Sequence, residues 1–109
     1  MIWVTVVRNK DNQIRGFQVS GHAGYADSGE DSVCSAVSAL TITTINAMSM
    51  FTSQSFETDQ DEEEGRITVN FTEPLNHDGE LLMNSLILGL RTIENEYNGE
   101  YIHVDFREV

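Results

Sequence analysis

Alternating apolar and polar positions predict about five β-strands in this chain. The runs are short and rich in β-branched or aromatic residues, as in half-buried strands. The predicted strands are residues 2–8, 14–20, 55–59, 66–71 and 101–106. A polar turn separates the first two runs, and an acidic turn ending at Gly65 separates the next two. Both pairs are therefore predicted to form antiparallel hairpins.

A repeat of apolar residues every three to four positions predicts two helices. The first follows the second strand, and its core-facing positions are Val33, Val37, Leu40, Thr44, Ala47, Met48 and Phe51. The second runs from Gly79 to Tyr97, and its core-facing positions are Met83, Leu86, Ile87, Leu90, Ile93 and Tyr97. The pair Asn98-Gly99 that follows is typical of residues that end a helix.

The predicted elements follow one another in the order ββαββαβ. Two amphipathic helices against one mixed or antiparallel sheet of about five strands is an α+β fold with two layers. Residues 1–109 are predicted to form a single domain, because the chain contains no linker and is long enough to bury a core without disulfides. These patterns do not predict the order of the strands in the sheet.

The side chains best suited to chemistry lie between the second strand and the first helix. Residues 21–30 are predicted to be a loop with glycines at 21, 24 and 29, and Asp31 or Ser32 is predicted to cap the helix. Cys34, the only cysteine, then falls in the first helical turn. Helical geometry places Cys34 and Ser38 on a stripe beside the core-facing one, where a pocket can reach them. Ser38 either shapes that pocket or only packs the helix.

A thiol at a helix start and an imidazole on the adjoining loop suit nucleophilic catalysis. The amide dipoles of a first turn lower the pKa of a thiol, and an imidazolium at His22 lowers it further. The amides of Cys34 and Ser35 are candidates to hold an oxyanion. Gly21 and Gly24 allow a peptide backbone to approach closely, and the glycine-containing loop is predicted to order over a substrate.

Three alternatives remain open for these residues. Asp31 either caps the helix, which is its more common role, or orients the ring of His22. Cys34 is alternatively an inert, buried thiol beside a histidine that ends a strand, since cysteine is among the most often buried residues. A metal site at His22, Asp27, Glu30 and Asp31 is a weaker alternative, because one histidine among loop acids is a poor transition-metal signal.

The other two histidines compete poorly with His22 as a catalytic base. His77 lies in a polar turn before the second helix, and His103 lies on the polar face of the last strand. Both are therefore predicted to be solvated. Trp3 is interpreted as part of the packing of the sheet rather than as a platform for a ligand.

The charge of the chain narrows the classes of partner. Its formal net charge is −12, from 18 acidic residues against six basic ones. Phosphates would be repelled, so no direct nucleic-acid ligand is expected, whereas an acidic surface suits a basic protein partner. The acidic run at residues 59–64 is itself interpreted as a solvated turn.

The single cysteine excludes an intrachain disulfide and a zinc site made of several cysteines. The apolar start of the chain is interpreted as a strand and not as a leader, and no apolar run is judged long enough to cross a membrane. The expected location is the cytoplasm, with a reduced thiol and no membrane contact.

The segment around Cys34 resembles the signature of the bacterial ribosomal-processing cysteine protease (Prp) family. That signature is Gly-His-Ala, a short glycine-containing loop, then Asp-x-Val-Cys followed by small residues. The matching residues here are Gly21-His22-Ala23 and Asp31-Ser32-Val33-Cys34. The acidic hairpin and the ending Gly99-x-Tyr101-Ile102 are similar too, so the resemblance spans essentially the whole chain. Ser35 stands where alanine is the more usual residue.

The resemblance implies a cysteine endopeptidase that needs no cofactor. It assigns Cys34 as the nucleophile, His22 as the proton donor and acceptor, and Asp31 as a supporting residue. Members of the family remove a short N-terminal extension from a precursor of a bacterial large-subunit ribosomal protein, cutting after an aromatic pair in an apolar stretch, and they form homodimers. The alternative function is a non-catalytic, ribosome-associated module that binds a basic protein tail. A metal-dependent hydrolase ranks last.

Overall fold

The computed structural model describes the backbone of residues 1–21 and 28–109 and the side chains of residues 1–21 and 32–109. The elements are β1 (Ile2–Arg8), β2 (Ile14–Ser20), α1 (Ser28–Phe51), β3 (Phe56–Asp61), β4 (Arg66–Phe71), α2 (His77–Glu96) and β5 (Ile102–Glu108). The predicted order ββαββαβ and the α+β fold class are confirmed. The strands form one five-stranded sheet in the order β3-β4-β2-β1-β5.

Neighbouring strands pair antiparallel except at β1 and β5. Both predicted hairpins form, β1 with β2 and β3 with β4, and β2 also pairs with β4. β5 pairs parallel with β1, so the sheet is mixed. In the first hairpin turn, Oδ1 of Asn9 accepts hydrogen bonds of 3.0 Å from the amides of Asp11 and Gln13. An asparagine that bonds its own backbone in this way stabilises a tight turn.

Both helices cover the same face of the sheet. Alternate strand positions are buried beneath them, namely Ile2, Val4, Val6, Phe17, Val19, Ile67, Val69, Phe71, Ile102 and Val104. The helices contribute Val33, Val37, Met48, Met83, Leu86 and Leu90 to the same core. On the opposite face Trp3 is 50% exposed and packs edge-on against His103, with 5.5 Å between the ring centroids. The molecule therefore has the two layers that the sequence predicts.

α1 differs from the prediction at both ends. It begins at Ser28, so residues 28–30 are helical and not part of a loop. At its other end Phe51, predicted to face the core, is 74% exposed. A helix of 24 residues is about 36 Å long, whereas strands of six or seven residues span about 20–23 Å, so α1 extends past the sheet. Thr41, which follows Cys34 by two helical turns, is fully buried.

α2 begins two residues before its predicted start, at His77. Asn76 caps it, and its Oδ1 accepts a hydrogen bond of 2.8 Å from the amide of Gly79. The buried Gln54 holds this cap in place, because its Oε1 accepts a bond of 2.8 Å from the amide of Asn76. The C-terminus matches the prediction, since Gly99 follows it with a φ of +72° and donates back to the helix.

β3 continues two residues further than predicted, because Asp61 pairs with Arg66 at the end of the hairpin. The turn therefore consists of residues 62–65, and only residues 62–64 of the acidic run belong to it. β5 likewise extends to Glu108, beyond its predicted end at residue 106.

The expectation that no segment is long and apolar enough to cross a membrane is wrong for Ser32–Phe51. This stretch has 20 residues and a mean hydropathy of 1.4, so its length and composition are those of a helix that could cross a membrane. In the structure it packs Val33, Val37 and Met48 into the core beneath the sheet. These core contacts account for part of its apolar composition, since 28% of the apolar stretch is buried.

Candidate active site

Cys34 lies in the second turn of α1, because the helix begins at Ser28. Its side chain is half-buried and packs against the edge of the core. In an α-helix the Cα–Cβ bond tilts towards the N-terminus, so the thiol leans over the first turn. The prediction that Cys34 belongs to the first turn is wrong, but its position on the flank of the buried face is confirmed.

The later position changes which amides can assist the thiol. Only the first four N–H groups of an α-helix lack a partner within the helix. The amides of Cys34 and Ser35 lie beyond that group, so the prediction that they hold an oxyanion is wrong. The helix dipole also acts mainly on the first turn, which reduces its expected effect on Cys34.

Asp31 lies inside α1, in its first turn, and therefore does not cap it. Of the two predicted roles, the cap is excluded and the orientation of His22 remains a prediction. A carboxylate in a first turn also interacts favourably with the positive end of the helix dipole. His22 and Gly24 lie outside the described residues.

The other two glycines that are predicted to lie in the loop are Gly29 and Gly21. Gly29 is helical, and Gly21 lies close to the backbone of Met1. Gly29 belongs to the first turn of α1 and not to a loop, while a role for it towards substrate remains a prediction. Gly21 has a φ of +88°, and a Cβ at this position would lie only 2.4 Å from the carbonyl oxygen of Met1. A glycine is therefore required where the chain leaves β2 and passes the start of β1. A role for Gly21 towards substrate remains a prediction.

Ser38 lies one helical turn after Cys34 on the same flank of α1 and is half-buried. Residues four apart on a helix have Cβ atoms about 5–6 Å apart, and the Ser38 side chain leans towards the turn that holds Cys34. Ser38 therefore adjoins the thiol, as predicted from the spacing. Whether its hydroxyl assists the reaction remains a prediction.

The flank that carries Cys34 is the one that α2 leaves uncovered. α2 packs on the other side of α1, where Leu40 lies 3.1 Å from the position of a Cβ on Gly89. Farther along the flank of Cys34, Ile42 faces Gln60 and Ile67 of the acidic hairpin across a surface cavity of about 190 Å³. No local pattern in the sequence predicts this cavity, because it forms between elements whose order in the sheet is not encoded locally.

Neither histidine in the described part of the chain can serve Cys34. His77 begins α2, whose first turns pack beside Ala47 near the far end of α1. Ala47 is about 20 Å along the helix from Cys34. His103 lies on β5 and contacts Trp3 on the sheet face opposite the helices. Since the chain has three histidines, His22 is the one left as a candidate base.

The metal site considered as an alternative cannot be assembled from the described side chains. They contain no group of three or more histidine, cysteine, aspartate or glutamate residues placed to hold a metal ion. The side chains of His22, Asp27, Glu30 and Asp31 all lie outside them. That alternative therefore gains no support from the described geometry.

Comparisons with known proteins agree over the whole chain. Residues 1–103 match a family model described as cysteine protease Prp. A Bacillus subtilis (strain 168) protein named ribosomal processing cysteine protease Prp is 33% identical over 101 residues, which cover 89% of this chain and 90% of that protein.

Two solved structures have a similar fold. One is the essential ribosomal processing protease Prp from S. aureus in complex with a substrate peptide. Its TM-score is 0.91 and its sequence identity 27%, and the match covers 98% of this chain and 100% of that one. The other contains the S. aureus protease with a covalently linked product peptide, with a TM-score of 0.87, 28% identity and the same coverage. The similarity thus includes both layers of the fold and is not limited to the segment around Cys34.

Proposed function

Because the chain belongs to the cysteine protease Prp family, we propose that it is the endopeptidase that removes the N-terminal extension of a large-subunit ribosomal protein precursor. The similarity over the whole chain to a ribosomal processing protease solved with a substrate peptide carries this proposal. The half-buried Cys34, on the flank of α1 that α2 leaves open, supports it. The reaction needs no cofactor.

The proposed reaction begins at the thiolate of Cys34. Its sulfur attacks the scissile carbonyl carbon, a C–S bond forms, and the negative charge moves to the carbonyl oxygen. The C–N bond then breaks as the imidazolium of His22 gives its proton to the leaving amine. A water molecule loses a proton to His22 and attacks the thioester, which releases the extension and restores the thiol. Asp31 supports this cycle by orienting the ring of His22.

The donors that stabilise the oxyanion come from outside the second turn of α1. The helical amides with no intrahelical partner are those of the first turn, and the thiol of Cys34 leans towards that turn. The amides around Gly29 and Glu30 are therefore the nearest unpartnered donors that α1 offers. This supports a carbonyl bound between the thiol and the start of the helix.

The basic partner, the homodimer and the cytoplasmic location belong to the same proposal. A net charge of −12 favours a basic ribosomal protein as substrate and disfavours direct contact with nucleic acid. Large apolar side chains exposed on the outer helical surface support self-association, namely Met50, Phe51, Leu81 and Leu88. Light scattering across a range of protein concentrations tests the dimer, which a constant monomer mass would contradict.

Co-expression with the extended ribosomal precursor tests the activity. Mass spectrometry should find the shortened protein beside the wild-type chain and only the extended protein beside Cys34→Ala. Shortened protein in equal amounts with Cys34→Ala would contradict the proposal. Binding of the precursor without cleavage by the wild-type chain would favour the alternative, a non-catalytic module that recognises a basic tail.

A further inference from the structure

The surface cavity between α1 and the acidic hairpin has the composition of a binding site for one particular kind of side chain. We name it the hairpin groove, and its lining is Ile42, Gln60, Asp61, Glu62, Arg66 and Ile67. Ile67 is buried at its base, and Ile42 is 44% exposed at its wall. Acidic residues form its outer edge. An apolar interior with an acidic edge suits a long aliphatic side chain that ends in a positive charge, as in lysine or arginine.

The one cation of the hairpin groove is already paired. Arg66 lies 3.5 Å from a carboxylate oxygen of Asp61 and 3.2 Å from one of Glu64. Glu62 is exposed at the hairpin groove, and the adjacent Glu63 is exposed at the turn. The local charge is therefore negative after Arg66 is counted, which favours a cationic side chain over a neutral one.

The hairpin groove lies in line with the nucleophile. Cys34, Ser38 and Ile42 occupy successive positions four apart, which form one row along a helix. At a rise of about 1.5 Å per residue, Ile42 is about 12 Å from Cys34 along the axis of α1. An extended peptide covers that distance in about four residues. A peptide that follows the row would therefore bring a side chain to the hairpin groove three or four residues from the bond at Cys34.

The backbone beside the hairpin groove favours an extended peptide as the occupant. β3 is an edge strand. The amide of Thr72 donates a hydrogen bond of 3.2 Å to Ser55 O, so the backbone of Ser55 faces β4, and so does that of every second residue after it. By alternation, the backbone groups of Phe56, Thr58 and Gln60 face outwards. No hydrogen bond to these outward groups is found in the described part of the chain. Such an edge accepts a peptide as an added strand.

The opposite edge of the sheet, formed by β5, is less open to an added strand. On β5 the amide of Val104 donates a hydrogen bond of 2.7 Å to Oε2 of Glu94, so a side chain of α2 occupies the middle of that edge. The open edge is thus the one beside the row of Cys34 and beside the concentration of acidic residues.

We propose that the hairpin groove is a substrate subsite, which binds a lysine or arginine three or four residues from the scissile bond of an extended basic peptide. This rests on the proposed function and adds a specificity determinant to it. Ile42 contacts the aliphatic stem, and Glu62 attracts the charged end. Other peptides remain cleavable, because the subsite acts on binding and not on the thiol chemistry.

The test compares matched peptides and matched variants. Peptides derived from the precursor cleavage sequence carry either lysine or glutamine at each position within four residues of the scissile bond on either side. The variants are Glu62→Lys and Ile42→Ser. The controls are Asp11→Lys, which makes the same charge change in the β1–β2 turn, and Val109→Ser, which removes an exposed apolar side chain after β5.

For the wild-type chain, lysine should lower KM relative to glutamine at one position, three or four residues from the cut. Glu62→Lys should remove that preference by raising KM for the lysine peptide about fivefold, with kcat unchanged. A fivefold change corresponds to about 1 kcal/mol, which is the upper value for a charge pair at a protein surface. Ile42→Ser should raise KM for the lysine and glutamine peptides alike. The two controls should retain the wild-type preference.

Two results would overturn the subsite. One is a lysine preference that survives in Glu62→Lys, and the other is a loss of equal size in Asp11→Lys. Both are distinct from failure of the proposed function, which would appear as no cleavage of any peptide by the wild-type chain or as undiminished cleavage by Cys34→Ala.

Discussion

Replacement of Gly21 by alanine tests the local geometry that leads from β2 to His22. Gly21 and Gly99 both adopt positive φ values, +88° and +72°. A Cβ on Gly99 would meet nothing within 4 Å, whereas one on Gly21 would lie 2.4 Å from the carbonyl oxygen of Met1. Gly99→Ala therefore measures the cost of the left-handed backbone alone, and Gly21→Ala adds the clash to it.

The expected magnitudes differ accordingly. A left-handed backbone costs a residue with a Cβ roughly 1–2 kcal/mol, which is the loss of unfolding free energy expected for Gly99→Ala. Relief of the clash requires the Met1 carbonyl to move by about an ångström, since ordinary contacts of a Cβ begin near 3.4 Å. That movement disturbs the adjacent bond of 2.8 Å from the Ile2 amide to Tyr101 O. Overpacking of this kind costs typically about 1–3 kcal/mol more.

Urea denaturation followed by circular dichroism measures both variants against the wild-type chain, with m-values used to check that unfolding stays two-state. Gly21→Ala should lose about 2–5 kcal/mol and Gly99→Ala about 1–2 kcal/mol. Under conditions where both variants are folded, Gly21→Ala should also cleave more slowly, because the displaced residue adjoins His22. Equal destabilisation by the two variants would refute the close approach of Gly21 to Met1.

Three further predictions concern α1, its connection to α2, and the thiol. Thr41→Val should stabilise the fold by about 1 kcal/mol in urea denaturation, because the buried Oγ1 has no hydrogen-bond partner in the described structure. Thr44→Val is the control, since its hydroxyl donates to a carbonyl at 2.7 Å, and an equal gain there would contradict the argument. Gln54→Ala should lower the free energy of unfolding by about 2–3 kcal/mol, because the amide of Asn76 then loses its hydrogen bond to Gln54 Oε1. Thiol alkylation of the folded variant should be unchanged. Alkylation of Cys34 by iodoacetamide below pH 8 should slow at least about tenfold in His22→Ala, since the second-turn position leaves activation mainly to the imidazole. Equal rates would contradict that role.

The sequence predicted the elements of this fold because each has a local signal. The alternation at 66–71 gives β4 without error, and the Asn98-Gly99 pair ends α2. The start of α1 was missed because Ser28 and Gly29 are weak helix formers and are more typical of loops. The orientation of Phe51 was missed because helical period does not reveal that α1 is longer than the strands beneath it.

The candidate site divides in the same way between local and tertiary information. The flank position of Cys34 and its proximity to Ser38 follow from helical spacing alone. The position of Ile42 opposite Gln60 depends on β3 lying at the edge of the sheet, which no local pattern encodes. Gly21 is predicted from the sequence to let a substrate backbone approach closely, but its close approach to Met1 depends on the pairing of β1 with β2.

The central claim is that Cys34 attacks the precursor and carries its N-terminal extension as a thioester. The most direct measurement is the intact mass of the protein after brief mixing with the extended precursor and an acid quench. The wild-type chain should gain the mass of the extension less one water, on the peptide that contains Cys34, while the shortened precursor appears. Cys34→Ala should show neither species. Shortened precursor formed at the wild-type rate by Cys34→Ala would contradict the account.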